Sequence, residues 1–111
     1  MEGIRAYFAN LVDAIAEGRR QRGCFLTNSL IELGQSDPEV WEKISTNLAR
    51  LETAFATALT RASAAGEIAA DPGAKSAAFL VCVVQGLNVL ANTKPSRGYL
   101  NNIVASALRS L

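Results

Sequence analysis

SAAFLVCVVQGLNVLANT, residues 76 to 93, is the stretch of this chain that decides the fold, because it contains no charged side chain. Its centre, from Ala77 to Val84, consists of eight consecutive apolar residues. At about 100° per residue, so long an apolar run cannot face only one side of a helix. The stretch therefore predicts a helix that packs against two partners.

The two faces of this predicted helix differ in the size of their side chains. A bulky face, suited to a domain core, consists of Phe79, Leu80, Val83, Leu87 and Leu90. A second face, which we call the small-residue face, consists of Ala78, Cys82, Gly86 and Val89. Small side chains let another backbone approach closely, so this face predicts contact with a helix of a second copy of the chain.

The same stretch has the length of a membrane span, but its polar residues argue against that interpretation. Gln85, Asn88 and Asn92 fall on one stripe near its end, and Pro95 closes it. A spanning helix would have to place these side chains in lipid. We therefore expect no membrane contact. The two cysteines in apolar runs, with no secretory signal in the residues after Met1, predict a cytoplasmic protein.

Composition excludes several classes of function. The 111 residues predict a single domain, residues 1–111, and the net charge of +1 gives no general attraction to nucleic acid. The chain has no histidine, which removes the commonest general base and the commonest metal ligand. Cys24 and Cys82 cannot complete a zinc site, and both stand in apolar runs that predict buried thiols. We predict no enzymatic activity, no catalytic residues, no metal and no cofactor.

Glycine and proline divide the chain into five segments of helical period, so the predicted fold class is all-α. The first helix runs from about Ile4 to Glu17, the second from Cys24 to Leu33, and the third covers about 28 residues up to Gly66. The fourth contains residues 76–93, after a cap at Asp71-Pro72, and the fifth follows Ser96. For the start of the third helix two alternatives stay open: a capping box of Ser36 with Glu39, or Asp37 as the cap with Pro38 at the first helical position.

The fifth helix carries an apolar stripe that would extend the interface with a second copy. The predicted dimer interface combines this stripe with the small-residue face. Its residues are Ala78, Cys82, Gly86, Val89, Leu100, Ile103, Val104 and Ala107.

Aromatic residues are few and are distributed over several helices, which raises the possibility of an apolar cavity between them. Asn28 and Gln85 stand among apolar neighbours, where an amide needs a partner, so they are candidate polar anchors. Filling of the core by the rings and hydrogen bonding of the amides between helices are the alternatives. The predicted ligand site consists of Phe8, Leu11, Phe25, Asn28, Trp41, Ile44, Phe55 and Gln85.

Four short segments, in this order and spacing, resemble the C-terminal domain of the tetracycline-repressor (TetR) family. They are RGCFLTN at 22–28, DPEV at 37–40, AAGEI at 64–68 and QGL at 85–87. The resemblance covers nearly the whole chain. It implies that the five helices correspond to the fifth to ninth helices of the family, that the last two form a dimeric four-helix bundle, and that the earlier ones enclose an inducer pocket.

The resemblance also implies a domain that residues 1–111 do not contain. Family members begin with a helix-turn-helix domain and a linking helix, whereas this chain starts at the equivalent of the fifth helix. We expect either a fragment of a repressor, made by design or by proteolysis, or a natural stand-alone remnant. DNA would then be contacted only through the missing N-terminal domain.

Two functions follow as expectations. The first is a homodimeric domain that senses a small, mainly apolar inducer for a transcriptional regulator. The alternative is a stand-alone helical homodimerisation module without a ligand pocket. A cavity of about 300 Å³ or more between the helices would favour the first.

Overall fold

The computed structural model of the chain describes residues 1–18, 37–68 and 73–111. These ranges contain four α-helices and no strand, which confirms the all-α prediction. A short 3₁₀ turn, Ala91–Thr93, follows the third of them. The helices are α1 (Glu2–Ala16), α2 (Pro38–Ala64), α3 (Gly73–Leu90) and α4 (Arg97–Arg109). The predicted helix at 24–33 and the predicted cap at Asp71-Pro72 lie outside the described residues.

The helix ends follow from individual residues. Of the two alternatives for the start of α2, the structure shows the second: the Asp37 side chain accepts a hydrogen bond of 3.0 Å from the backbone N–H of Glu39, and Pro38 occupies the first turn. The end of α2 is set by Gly66, whose φ of +74° suits a residue without a Cβ. At α4, the predicted cap is confirmed, because Ser96 Oγ accepts a hydrogen bond of 3.1 Å from the N–H of Tyr99.

The core lies where α1, α3, α4 and the C-terminal half of α2 meet. In α2 the buried side chains are Phe55, Leu59 and Ala62, whereas its first half has only half-buried apolar residues such as Ile44. Phe8 of α1 and Leu80 of α3 are fully buried in the same cluster. Burying a side chain of this size contributes about 1.5–3 kcal/mol, so this cluster is the main source of stability.

An ion pair joins the end of α1 to the start of α4. The Arg97 guanidinium donates to the Asp13 carboxylate, and both side chains are about half exposed. A pair this exposed contributes at most about 1 kcal/mol to the free energy of folding. Its effect is therefore more on the relative orientation of α1 and α4 than on stability.

Two predictions of burial are wrong. Phe79, predicted for the core, is 43% exposed, and Cys82, predicted as a buried thiol, is exposed in the protomer. Among the described amides of α3, Asn88 is buried, at 5% exposed, whereas the predicted polar anchor Gln85 is half-buried. The cause is common to these side chains: α3 is apolar around most of its circumference, so its pattern does not fix its rotation about its own axis.

Residues Lys75–Thr93 are long and apolar enough to cross a membrane by length and composition alone. A third of that window, 33%, is buried inside the protein. Core helices of proteins that never meet a membrane pass the same test, so this property carries little weight.

Candidate dimer face and ligand site

One side of α3 faces the core and the opposite side faces solvent. The buried side carries Ala77, Leu80, Val84 and Leu87, and Ala91 of the following 3₁₀ turn is also buried. All four residues of the small-residue face, together with Phe79, lie on the exposed side. The structure therefore leaves an apolar helix face uncovered within the protomer.

A groove between α3 and α4 continues this exposed surface. Its volume is about 600 Å³. The walls are mostly apolar, with one amide and two hydroxyls among the side chains: Phe79, Val83, Tyr99, Asn102, Ile103, Ser106 and Ala107. We call the groove and the small-residue face together the α3–α4 face. Val89 and Tyr99, at 51% and 53% exposed, are its largest uncovered side chains besides Phe79.

Gly86 has no packing role among the residues that the structure describes. A Cβ built on it would meet no heavy atom within 4 Å. Glycine inside a helix costs about 0.5–1 kcal/mol relative to alanine, and here no contact among the described residues offsets that cost. A bare patch of helix backbone is what a second helix needs for close approach, so Gly86 favours a contact with another chain.

The predicted interface residues differ in how far they are exposed. Ala78, Cys82, Gly86 and Val89 are exposed, and Ile103 and Val104 are half-buried. Ala107 is nearly buried but lines the groove. Leu100 is 0% exposed and belongs to the core, so its assignment to the interface is wrong. The apolar stripe of α4 is wide enough to cover both the side that faces the core and the side that faces solvent, and Leu100 lies on the core side. Tyr99, one position earlier, is the exposed residue that the sequence interpretation missed.

The predicted ligand site is partly filled by its own rings. The rings of Phe8 and Phe55 stack with 5.8 Å between their centroids and 10° between their planes. Tyr7 packs edge-on against both, at 5.6 Å from Phe8 and 5.4 Å from Phe55. These three aromatic side chains occupy the space between α1 and α2 where part of the cavity was predicted.

The other predicted ligand-site residues are not brought together. Trp41 is 52% exposed near the start of α2, and Ile44, one turn later, is half-buried. Leu11 lines a shallow depression of about 220 Å³ with Tyr7, Asn10 and Ala14. Phe25 and Asn28 lie outside the described residues.

Two further depressions lie along α2 and are lined mainly by polar and charged residues. One, of about 450 Å³, is lined by Thr53, Thr57 and Thr60 with Glu52 and Arg61 on α2, and reaches Ala77 on α3. Neither contains a residue of the predicted ligand site. In the part of the chain that the structure describes, no three His, Cys, Asp or Glu residues lie close enough to hold a metal ion.

Comparisons with known proteins show what this chain is similar to. Residues 1–107 match the family model described as "Tetracyclin repressor-like, C-terminal domain". The chain is also 36% identical over 67 residues to a protein of Bacillus subtilis (strain 168) named "Uncharacterized HTH-type transcriptional regulator YezE". That alignment covers 60% of this chain and 34% of the relative, so the chain spans about a third of the relative's length. No solved structure matches the chain with comparable significance.

Proposed function

The chain belongs to the family of tetracyclin-repressor-like C-terminal domains, and from this membership we propose that it is the dimerisation and ligand-sensing domain of a TetR-family transcriptional regulator. A small, mainly apolar effector would change the relative position of the two copies. DNA would be contacted by a helix-turn-helix segment outside residues 1–111, and the regulator would act in the cytoplasm. The mechanism is a coupling between two binding events and involves no catalysis.

The observation that carries the dimerisation part is the uncovered α3–α4 face. Phe79, Val89 and Tyr99 are each about half exposed on it, and the accessible backbone at Gly86 lies between them. An apolar patch of this kind usually marks an interaction site. A second copy of the chain fits because two-fold pairing would cover the same face on both copies at once.

Gly86→Arg tests the proposed interface. The added side chain meets open space in the protomer, so the helices should be retained in a circular dichroism spectrum. In the dimer the bulky cation would separate the two helix backbones, and we expect the dissociation constant from light scattering to rise at least about tenfold, equivalent to about 1.4 kcal/mol.

Gly3→Arg is the matched control, because Gly3 also lies in a helix and its Cβ would also meet nothing within 4 Å, but it is on α1. This variant should dimerise like the unmutated chain. If both variants keep the unmutated dissociation constant, the α3–α4 face is not the interface.

The ligand-sensing part competes with a second candidate, a homodimerisation module without a pocket. The packing of Tyr7, Phe8 and Phe55 favours this second candidate, because it fills space that an effector would need. The family membership favours ligand sensing. The two candidates differ in whether small apolar molecules bind residues 1–111.

A panel of small hydrophobic and aromatic compounds distinguishes the two candidates. An effector present at 100 times its dissociation constant stabilises the folded chain by about 2.7 kcal/mol, which raises the melting temperature by several degrees. Trp41 is the only tryptophan, so its fluorescence gives a second signal. If no compound changes either signal, ligand sensing by residues 1–111 is replaced by the dimerisation module.

A further inference from the structure

The helical hairpin that carries the proposed interface has charges of one sign only. Residues 73–111 contain Lys75, Lys94, Arg97 and Arg109 and no aspartate or glutamate. The rest of the described chain is acidic on balance: residues 1–18 carry three acidic and one basic side chain, and residues 37–68 carry five acidic and three basic. The charges are therefore separated by element, although the whole chain has a net charge of only +1.

The four cations lie at the two ends of the hairpin. Lys94 lies in the connection between α3 and α4, and Arg97 is the first residue of α4. Lys75 is in the first turn of α3, and Arg109 is the last residue of α4. The two helices line one groove and are joined by a connection of only residues 91–96, and a connection this short makes neighbouring helices run antiparallel. Lys75 and Arg109 therefore lie toward the same end.

Only one of the four cations is neutralised by a described carboxylate. Arg97 pairs with Asp13 of α1. Arg109 donates a hydrogen bond of 3.1 Å to Ser106 on its own helix, which leaves its charge in place. Lys75, Lys94 and Arg109 have no ion pair among the residues that the structure describes. The nearest acid in sequence, Asp71, lies outside those residues.

A two-fold axis brings the cations of the two copies together in either alignment of the hairpins. We call the line of contact between the two α3–α4 faces the seam. If the copies run parallel, each end of the seam receives Lys75 and Arg109 twice, or Lys94 and Arg97 twice. If they run antiparallel, each end receives all four. Because Asp13 neutralises Arg97, each end of the seam then collects between two and four unpaired cations, from helices whose side chains include no carboxylate.

We propose that this like-charge seam weakens the homodimer at low ionic strength, so that added salt strengthens the association. The inference rests on the proposed homodimer and adds its regulation by ionic strength. The Debye length falls from about 30 Å at 0.01 M salt to about 10 Å at 0.1 M, so repulsion that reaches across the seam in dilute buffer is largely screened in concentrated salt. Interfaces with complementary charges respond in the opposite direction.

Sedimentation equilibrium of the chain between about 0.02 and 0.5 M sodium chloride tests this inference. We expect the dissociation constant of the dimer to fall at least about threefold over that range, because several exposed like-charge contacts of modest strength are screened together. Strengthening of hydrophobic contacts by salt acts in the same direction and must be separated from screening.

A triple variant makes that separation. Lys75→Gln/Lys94→Gln/Arg109→Gln removes the three unpaired cations and leaves the Arg97 pair intact. It should dimerise more tightly than the unmutated chain in dilute salt and lose most of the salt dependence. The matched control, Lys43→Gln/Arg50→Gln/Arg61→Gln, removes three cations from α2 and should keep the full salt dependence.

The failures of the two proposals are distinguishable. A dimer whose dissociation constant is unchanged by salt, or rises with it, overturns the like-charge seam and leaves the dimer standing. A triple variant that keeps the full salt dependence also overturns it. A chain that stays monomeric at every salt concentration overturns the proposed homodimer, and the inference with it.

Discussion

Lys94 adopts a backbone conformation that side chains with a Cβ rarely occupy. Its φ is 53° and its ψ 55°, between the 3₁₀ turn and Pro95, and it is the only described residue other than glycine with a positive φ. The left-handed conformation costs about 1–2 kcal/mol for a residue with a Cβ, and glycine avoids this cost while losing more freedom on folding.

Lys94→Gly should therefore raise the free energy of unfolding by about 0.5–1 kcal/mol in a urea titration. Lys94→Ala is the control: it removes the same charge and side chain but keeps the Cβ, so any effect of the lost charge on dimerisation is common to both variants and the glycine variant should be the more stable of the two by about 0.5–1 kcal/mol. Both variants are compared at one protein concentration, since dimerisation contributes to measured stability. A glycine variant no more stable than the alanine variant contradicts this account of the strain.

At the scale of single residues, the sequence predicted well where one residue has one physical requirement. Asp37 before a proline and Gly66 after an apolar stripe each have a specific local role, and both are found in that role. Phe79 and Leu100 were assigned to the wrong sides, because an apolar residue fits a core and an interface equally well. Trp41 is exposed for a different reason: it lies in the first half of α2, which contributes no buried side chain to the core.

At the scale of helices, the long α2 has a well-defined start. The Asp37 carboxylate accepts from the N–H of Glu39, which otherwise lacks a partner within the helix. The first half of α2 contributes no buried side chain to the core, so local interactions are especially important for holding it in place.

Asp37→Ala should lower the free energy of unfolding by about 1 kcal/mol, because it removes this cap. Asp37→Asn keeps a side-chain oxygen that can accept the same hydrogen bond, and should stay within a few tenths of a kcal/mol of the unmutated chain. Thermal unfolding followed by circular dichroism measures both. Equal losses for the two variants would show that the carboxylate charge, rather than the hydrogen bond, supports the helix start.

Sequence periodicity predicted the existence and approximate ends of α1, α2, α3 and α4. It could not predict the rotation of α3, since a helix that is apolar almost all round has no preferred face until its neighbours are placed. It also could not predict that Phe8 and Phe55 stack on each other, because ring packing depends on the distance and angle between two helices.

At the scale of the whole molecule, family membership and the uncovered α3–α4 face support the same arrangement of two copies. The family match covers residues 1–107 and therefore includes the whole of this face. The core explains why the protomer folds, but it leaves Phe79, Val89 and Tyr99 about half exposed. A dimer would cover them, and the proposed sensing role depends on that dimer.

Sedimentation equilibrium of the unmutated chain, in about 0.15 M salt, tests the homodimer most directly. One chain has a mass of 11.8 kDa. We predict that the apparent mass approaches twice that value at tens of micromolar and falls toward one chain on dilution, as a reversible dimer requires. A mass that stays at 11.8 kDa over the whole concentration range would contradict the proposed homodimer.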